Sequence, residues 1–269
     1  MLPAASSQEI PATVIRVKDL CCGYPGHTVL HGISFAVEKG EFLGILGPNG
    51  SGKTTLLLAL SGILPIRDGD IEILGVPSGR LKHKERAQHV AVVTQDPEVR
   101  FPFTCEEVVR MGRYPHQKRW QLDSIQDAEA VRQAMLLTDT DMLAERLITA
   151  LSGGEKQRVI MAKALAQEGA VLLLDEATSA MDIHRKLQIF KILEQLHEKN
   201  GLTVLAVLHD VNLAALFCQR IIFLKDGRVV ADGEAHSVLL PEILEEVYQT
   251  RVVIQEIPNS GKRQVVFLP

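Results

Sequence analysis

Residues 47 to 54 read Gly-Pro-Asn-Gly-Ser-Gly-Lys-Thr, and that order of residue types can hold a triphosphate. Gly47, Gly50 and Gly52 open backbone conformations closed to residues with a Cβ. The loop they form with Pro48, Asn49 and Ser51 can therefore curl its amides round phosphate oxygens. Lys53 adds a mobile point charge for the β and γ phosphates. Thr54 offers a hydroxyl to Mg²⁺, and Thr55 lies in the first helical turn, whose bare amides and positive dipole end also favour phosphate. A second cluster is Asp175-Glu176, delivered by the apolar run Val171-Leu172-Leu173-Leu174. Behind a complete phosphate loop, Asp175 reads as a holder of Mg²⁺, directly or through water. Glu176 reads as the base that takes a proton from an attacking water or orients it. The chemistry is nucleoside triphosphate binding and hydrolysis.

Such groups need rigid elements behind them. The run Glu41 to Leu46 is short, apolar and ends in glycine, which predicts a strand, a tight loop and then a helix from Thr54 to Leu60. Thr13 to Leu20 and Val29 to Val37 read as strands flanking the turn Gly23 to His27, with Asp70 to Leu74 and Val90 to Thr94 as further strands. This predicts an antiparallel region leading into the core. From Cys105 to Leu147 the apolar spacing becomes helical. Beyond it, helix Gly153 to Ala166, strand Val171 to Leu174, helix Arg185 to Lys199, strand Thr203 to Leu208, helix Val211 to Phe217 and strand Ile221 to Leu224 alternate, as in a parallel α/β sheet. Lys225-Asp226-Gly227-Arg228 is a hairpin turn. From Ala235 the pattern reads as a helix and two short strands near Val252 to Ile257 and Gln264 to Phe267. No repeat or low-complexity segment is visible.

At 269 residues and 46% hydrophobic, the chain has apolar mass for a proper core, and a net charge of −4 makes no case for nucleic acid. Its longest apolar stretch, Leu56 to Ile66, is broken by Ser61, Gly62 and Pro65, short of the roughly 20 residues a membrane span needs. Met1 to Ile10 has neither a basic start nor an apolar stretch, so a cytoplasmic location is expected. Cys21, Cys22, Cys105 and Cys218 lack metal-ligand spacing and read as reduced, mostly buried thiols.

The segment Leu151-Ser152-Gly153-Gly154-Glu155-Lys156-Gln157-Arg158 reads bottom-up as a helix start: Ser152 caps, Glu155 closes a capping box, and Gly153 and Gly154 leave amides bare. It resembles the signature motif of ATP-binding cassette (ABC) proteins, and the resemblance covers nearly the whole chain with motifs in the family's order. Gly47 to Thr54 is similar to Walker A and Val171 to Asp175 to Walker B, with Glu176 in the catalytic-base position. Gln95 resembles the glutamine that senses metal and γ-phosphate, Tyr24 the aromatic that stacks on adenine, and His209 the switch histidine. Tyr24 also reads as a turn tyrosine packed on the core. Ser179-Ala180-Met181-Asp182 resembles the D-loop, with Met181 where Leu is usual. Ala177 stands where Pro is common. The resemblance implies a RecA-like P-loop core with a mainly parallel sheet, an antiparallel β region and an inserted helical subdomain. The implied divisions are 1–95, 96–150, 151–235 and a C-terminal extension, 236–269, which is either a regulatory or dimer-supporting addition or an edge of the core.

In this family two copies pair head to tail, so ATP and Mg²⁺ held by one chain are capped by Ser152, Gly153, Gly154 and the D-loop Asp182 of the other. The resemblance further implies separate membrane permease subunits, a substrate-binding protein on the far side, and a peripheral place on the cytoplasmic face. Arg110 to His116, preceded by Phe101-Pro102-Phe103-Thr104, and the stretch His209 to Ala215 are similar to ATPases of importers for haem, iron–siderophore complexes and cobalamin. Phe101 to Thr104 leans towards haem. An exporter or metal-ion transporter ATPase would share the core motifs and differ in its partner. A soluble ABC ATPase of repair or translation would be expected to show a second cassette or a basic surface, and a nucleotide kinase has no use for Leu151 to Arg158.

Overall fold

The alternation of apolar and polar residues from Thr13 onward builds a long hairpin. In the computed structural model, which describes residues 11–94, 101–117, 124–178, 181–258 and 261–269, β1 (Thr13–Tyr24) pairs antiparallel with β2 (His27–Glu38). β3 (Phe42–Leu46) runs into α1 (Lys53–Ser61). β4 (Ile66–Ile73) and the short β5 (Val76–Pro77) complete a four-stranded sheet of order β2-β1-β4-β5. β4 ends one residue earlier than the sequence predicts because Leu74, at φ 50°, and Gly75, at φ 76°, form the turn.

α2 (His83–Ala87) precedes β6 (Val90–Val93). The helical stretch then holds α3 (Cys105–Arg110), capped by Thr104, and α4 (Ile125–Leu137), capped by Ser124. Each cap forms a reciprocal box with the acid three residues on, Glu107 and Asp127. A bridge between Thr104 and Leu147 closes the base of this insert. α5 (Gly153–Ala166), β7 (Val171–Asp175), α6 (Ile183–Asn200), β8 (Thr203–Val207), α7 (Val211–Phe217), β9 (Arg220–Lys225) and β10 (Arg228–Glu234) follow. The second sheet has the order β10-β9-β3-β8-β7-β6, parallel except for the edge strand β10. The mixed, mainly parallel sheet with an N-terminal antiparallel region is the architecture the sequence predicts.

Its central strands are buried on both faces, as a run such as Val171–Asp175 requires. Along β3, Leu43 and Ile45 face the antiparallel sheet and α1, while Phe42 and Leu46 face the helices on the other side. The tail forms α8 (Ala235–Val238), α9 (Pro241–Tyr248) and the hairpin of β11 (Val252–Glu256) with β12 (Arg263–Phe267). Val238, Leu239, Leu244, Val247, Val252 and Val265 join the same apolar cluster as Phe223 and Leu208, so the tail extends the core.

Candidate nucleotide-binding site

Three neighbouring parallel strands bring the chemical groups to one edge of the sheet. Ile45 of β3 and Asp175 of β7 both pair with Val207 of β8. The residues just beyond them, Gly47 to Thr54, Glu176 and His209, therefore leave the sheet side by side at its C-terminal edge, where open α/β sheets bind ligands.

The loop is shaped for an anion. Gly47 sits at φ 151°, and a Cβ there would lie 2.0 Å from the Leu224 carbonyl oxygen. Gly52, at φ 100°, would drive a Cβ to 2.5 Å from the Leu30 side chain. Gly227, in the turn after β9, donates to the Ser51 carbonyl at 3.2 Å and buttresses the loop from behind. α1 begins at Gly52 with no side-chain cap and no acidic residue in its first turn. Its first amides have no intrahelical acceptor, so a phosphate fits this start. Lys53 is 5% exposed and donates to the carbonyls of Gly47, at 2.9 Å, and Pro48, at 3.0 Å. Burial pushes its ammonium pKa down, opposed by the carboxylates of Glu176 and Asp175. A Gly47→Ala chain is expected to lose about 1–3 kcal/mol of stability through overpacking, together with nucleotide affinity; chemical denaturation and nucleotide titration measure both.

The Thr54 hydroxyl donates to Oδ1 of Asp175 at 3.2 Å. Burial raises the Asp175 pKa, while that hydrogen bond pulls the other way. Two oxygen donors meeting beside the phosphate loop suit a hard cation. Glu176 has φ 48°, a left-handed conformation for a residue with a side chain, and its amide is held by the Val207 carbonyl at 3.3 Å. Backbone strain of this kind, held by a neighbouring strand, collects at functional positions. Nε2 of His209 meets Oε1 of Glu176.

The other candidates stand apart from this cluster. Tyr24 closes the β1–β2 hairpin opposite His27 and is 45% exposed. Ser152 caps α5: its hydroxyl accepts from the Glu155 amide at 3.4 Å, and Glu155 accepts from the Ser152 amide at 2.9 Å. Ser152 and Gly153 are exposed and Gly154 half-buried at that helix start. Asp182 is exposed and caps α6 through the Arg185 amide at 2.9 Å. Gln95, Ser179 and Ala180 lie outside the described residues.

Only part of the Arg110 to His116 segment faces outward. Met111 is 40% and Tyr114 69% exposed, and with Phe103 they line an open groove of about 600 Å³. Arg113 turns inward, bonding Asp127 at 2.8 Å, Glu168 at 2.7 Å and the Ala166 carbonyl at 2.7 Å. One neighbour of the loop carries no sequence signal: Tyr248 of α9 is largely buried, and its hydroxyl lies against the Gly47 backbone without a well-formed hydrogen bond.

Residues 30–179 match the family described as ABC transporter. The chain is 42% identical over 245 residues to the hemin import ATP-binding protein of Pseudomonas fluorescens (strain Pf0-1), covering 89% of this chain and 94% of that one. It is 36% identical over 244 residues to the cobalamin import ATP-binding protein of Halobacterium salinarum (strain R1), covering 91% of this chain and 61% of that one. It thus spans about three fifths of the length of that relative. A solved structure of a metal-chelate type ABC transporter, facing inward, superposes with a TM-score of 0.83 at 26% identity, covering 96% of this chain and 98% of that one. With its phosphate loop, strand-end acids and capped Ser-Gly-Gly helix start in one fold, this chain belongs to the ABC transporter family of ATP-binding proteins.

Proposed function

We propose that the chain is the ATP-hydrolysing subunit of an importer, driving uptake of an iron chelate (haem or a siderophore complex) or cobalamin through separate membrane permease subunits. The observation that carries the hydrolysis is the convergence of Lys53, Thr54, Asp175, Glu176 and His209 at the ends of three adjacent strands. The kinship with import ATP-binding proteins supports the cargo class.

In this reading the amides of Gly50 to Thr55 and the Lys53 ammonium bind the β and γ phosphates, and the exposed ring of Tyr24 stacks on adenine. Thr54 and Asp175, with Gln95, would hold Mg²⁺, which would supply positive charge against the phosphates. Glu176 orients water and takes its proton, while His209 fixes the Glu176 carboxylate and faces the γ-phosphate. The exposed start of α5, at Ser152, Gly153 and Gly154, and Asp182 serve the nucleotide of a second copy. Two chains then close over ATP and part after hydrolysis.

The groove at Phe103, Met111 and Tyr114 is the surface we assign to the permease, in the helical unit 96–150. Among the described residues no helix is long and apolar enough to cross a membrane. In this reading the chain is a peripheral subunit on the cytoplasmic face. A substrate-binding protein across the membrane completes the assembly.

The test is affinity purification of the full chain from detergent-solubilised membranes of its source, with mass spectrometry of its partners and an assay of Mg²⁺-dependent phosphate release. Recovery of a polytopic permease of iron-chelate, haem or cobalamin type supports import. Recovery of an exporter-type membrane protein, or of soluble partners only, overturns the import reading and leaves the ATPase standing.

A further inference from the structure

His209 stands two residues past β8 and one before the cap of α7, so the direction of its side chain depends on where α7 starts. Asp210 fixes that start locally, accepting from the amides of Asn212 at 2.9 Å and Leu213 at 3.1 Å. The next residue to leave the helix surface is Asn212. It is half-buried between the buried Val211 and Leu213, and its side chain turns to the tail hairpin. Its Nδ2 donates to the Val265 carbonyl at 3.0 Å, and its Oδ1 accepts from the Val265 amide at 2.7 Å. One side-chain amide thus satisfies both backbone groups of a residue 53 positions away.

That pairing adds a rung to the free edge of β12. Val265 stands opposite Ile254 of β11 but turns its own amide and carbonyl to Asn212. An edge strand needs such cover, and an amide side chain supplies both a donor and an acceptor in the spacing of a backbone. The tail hairpin is itself anchored. Arg263 donates to the carbonyl oxygens of His236, at 2.6 Å, and Leu239, at 3.1 Å, and the Tyr248 ring sits edge-on between Phe223 and Phe267, with centroids 6.5 and 5.4 Å away. Val265 is therefore a fixed point, buried to 3% exposure and set against the first turn of α7.

We propose that Asn212 is a positioning residue for hydrolysis: by docking on the Val265 backbone it fixes the first turn of α7 and, through it, the placement of His209 against Glu176. This rests on the ATPase reading above. It assigns the tail hairpin a part in the turnover rate as well as in the apolar core. Asn212 touches neither nucleotide nor water; it acts through His209.

The experiment is a double-mutant cycle on steady-state ATP hydrolysis by the full chain, with Asn212→Leu, His209→Ala and the double variant. Asn212→Leu keeps the branching and the number of heavy atoms, adds some bulk and removes both hydrogen bonds. Asn212→Ala, which leaves room for water at the Val265 amide, serves if the leucine variant does not fold. The expected result is a fall in kcat of about tenfold with KM for ATP within about twofold, and no further fall when the change is added to His209→Ala. Hydrogen exchange at the amides of residues 211 to 214 is expected to quicken while β8 stays protected. Equal kcat losses in both backgrounds, or a wild-type kcat in Asn212→Leu, would overturn the proposal and leave the ATPase reading intact. A wild-type chain that hydrolyses no ATP would overturn both.

Discussion

Glu176→Gln is expected to bind ATP nearly as well as the parent chain and to hydrolyse it about 10²–10⁴-fold more slowly, the span ascribed to a positioned general base. The substitution keeps the volume and the means to hydrogen-bond His209, so the strained backbone at φ 48° and its tie to Val207 are retained. What disappears is the group that can accept a proton from water. Because nucleotide charge holds the proposed pair together, the slow variant should accumulate as an ATP-bound dimer, seen by size-exclusion chromatography with light scattering. Phosphate release at the parent rate would remove Glu176 from the mechanism.

The largest expected loss of stability lies away from the nucleotide. Arg113 and Asp127 are 6% and 8% exposed, and the guanidinium ties α4 to the end of α5 through Asp127, Glu168 and the Ala166 carbonyl. Removing one member of a buried pair strands the other, so Arg113→Met is expected to cost about 3–5 kcal/mol in denaturant unfolding. A domain's whole stability is of order 5–15 kcal/mol, so the fraction folded should fall visibly. The Asp127 carboxyl is held down to about 2, first by the Ser124 hydroxyl and then by Arg113. Its folded pKa is thus below its unfolded one, and the stability it contributes is full above about pH 4 and lost as pH falls from there towards 2. In Arg113→Met the acid limb should move up in pH only in part, since Ser124 remains. An unchanged denaturation midpoint and acid limb would show that the pair contributes nothing.

The phosphate loop was legible because each of its requirements is local: glycine where the backbone approaches Leu224 and Leu30, lysine and threonine at the helix start. The acids at Asp175 and Glu176 were legible for a similar reason, an apolar strand ending in charge. Arg113 was not. What turns it inward is Asp127, 14 residues on, and Glu168, 55 residues on, partners that its own segment does not announce. Asn212 and Tyr248 were hidden more deeply, since each meets backbone, and backbone carries no residue type from which a pairing could be read.

α1 starts at Gly52 without a side-chain cap, so its first amides are open to solvent or to an anion. A nucleotide that binds the folded chain alone would therefore stabilise it: at a concentration 100 times its dissociation constant the gain would be about 2.7 kcal/mol, read as a shift in the unfolding midpoint that grows with nucleotide concentration.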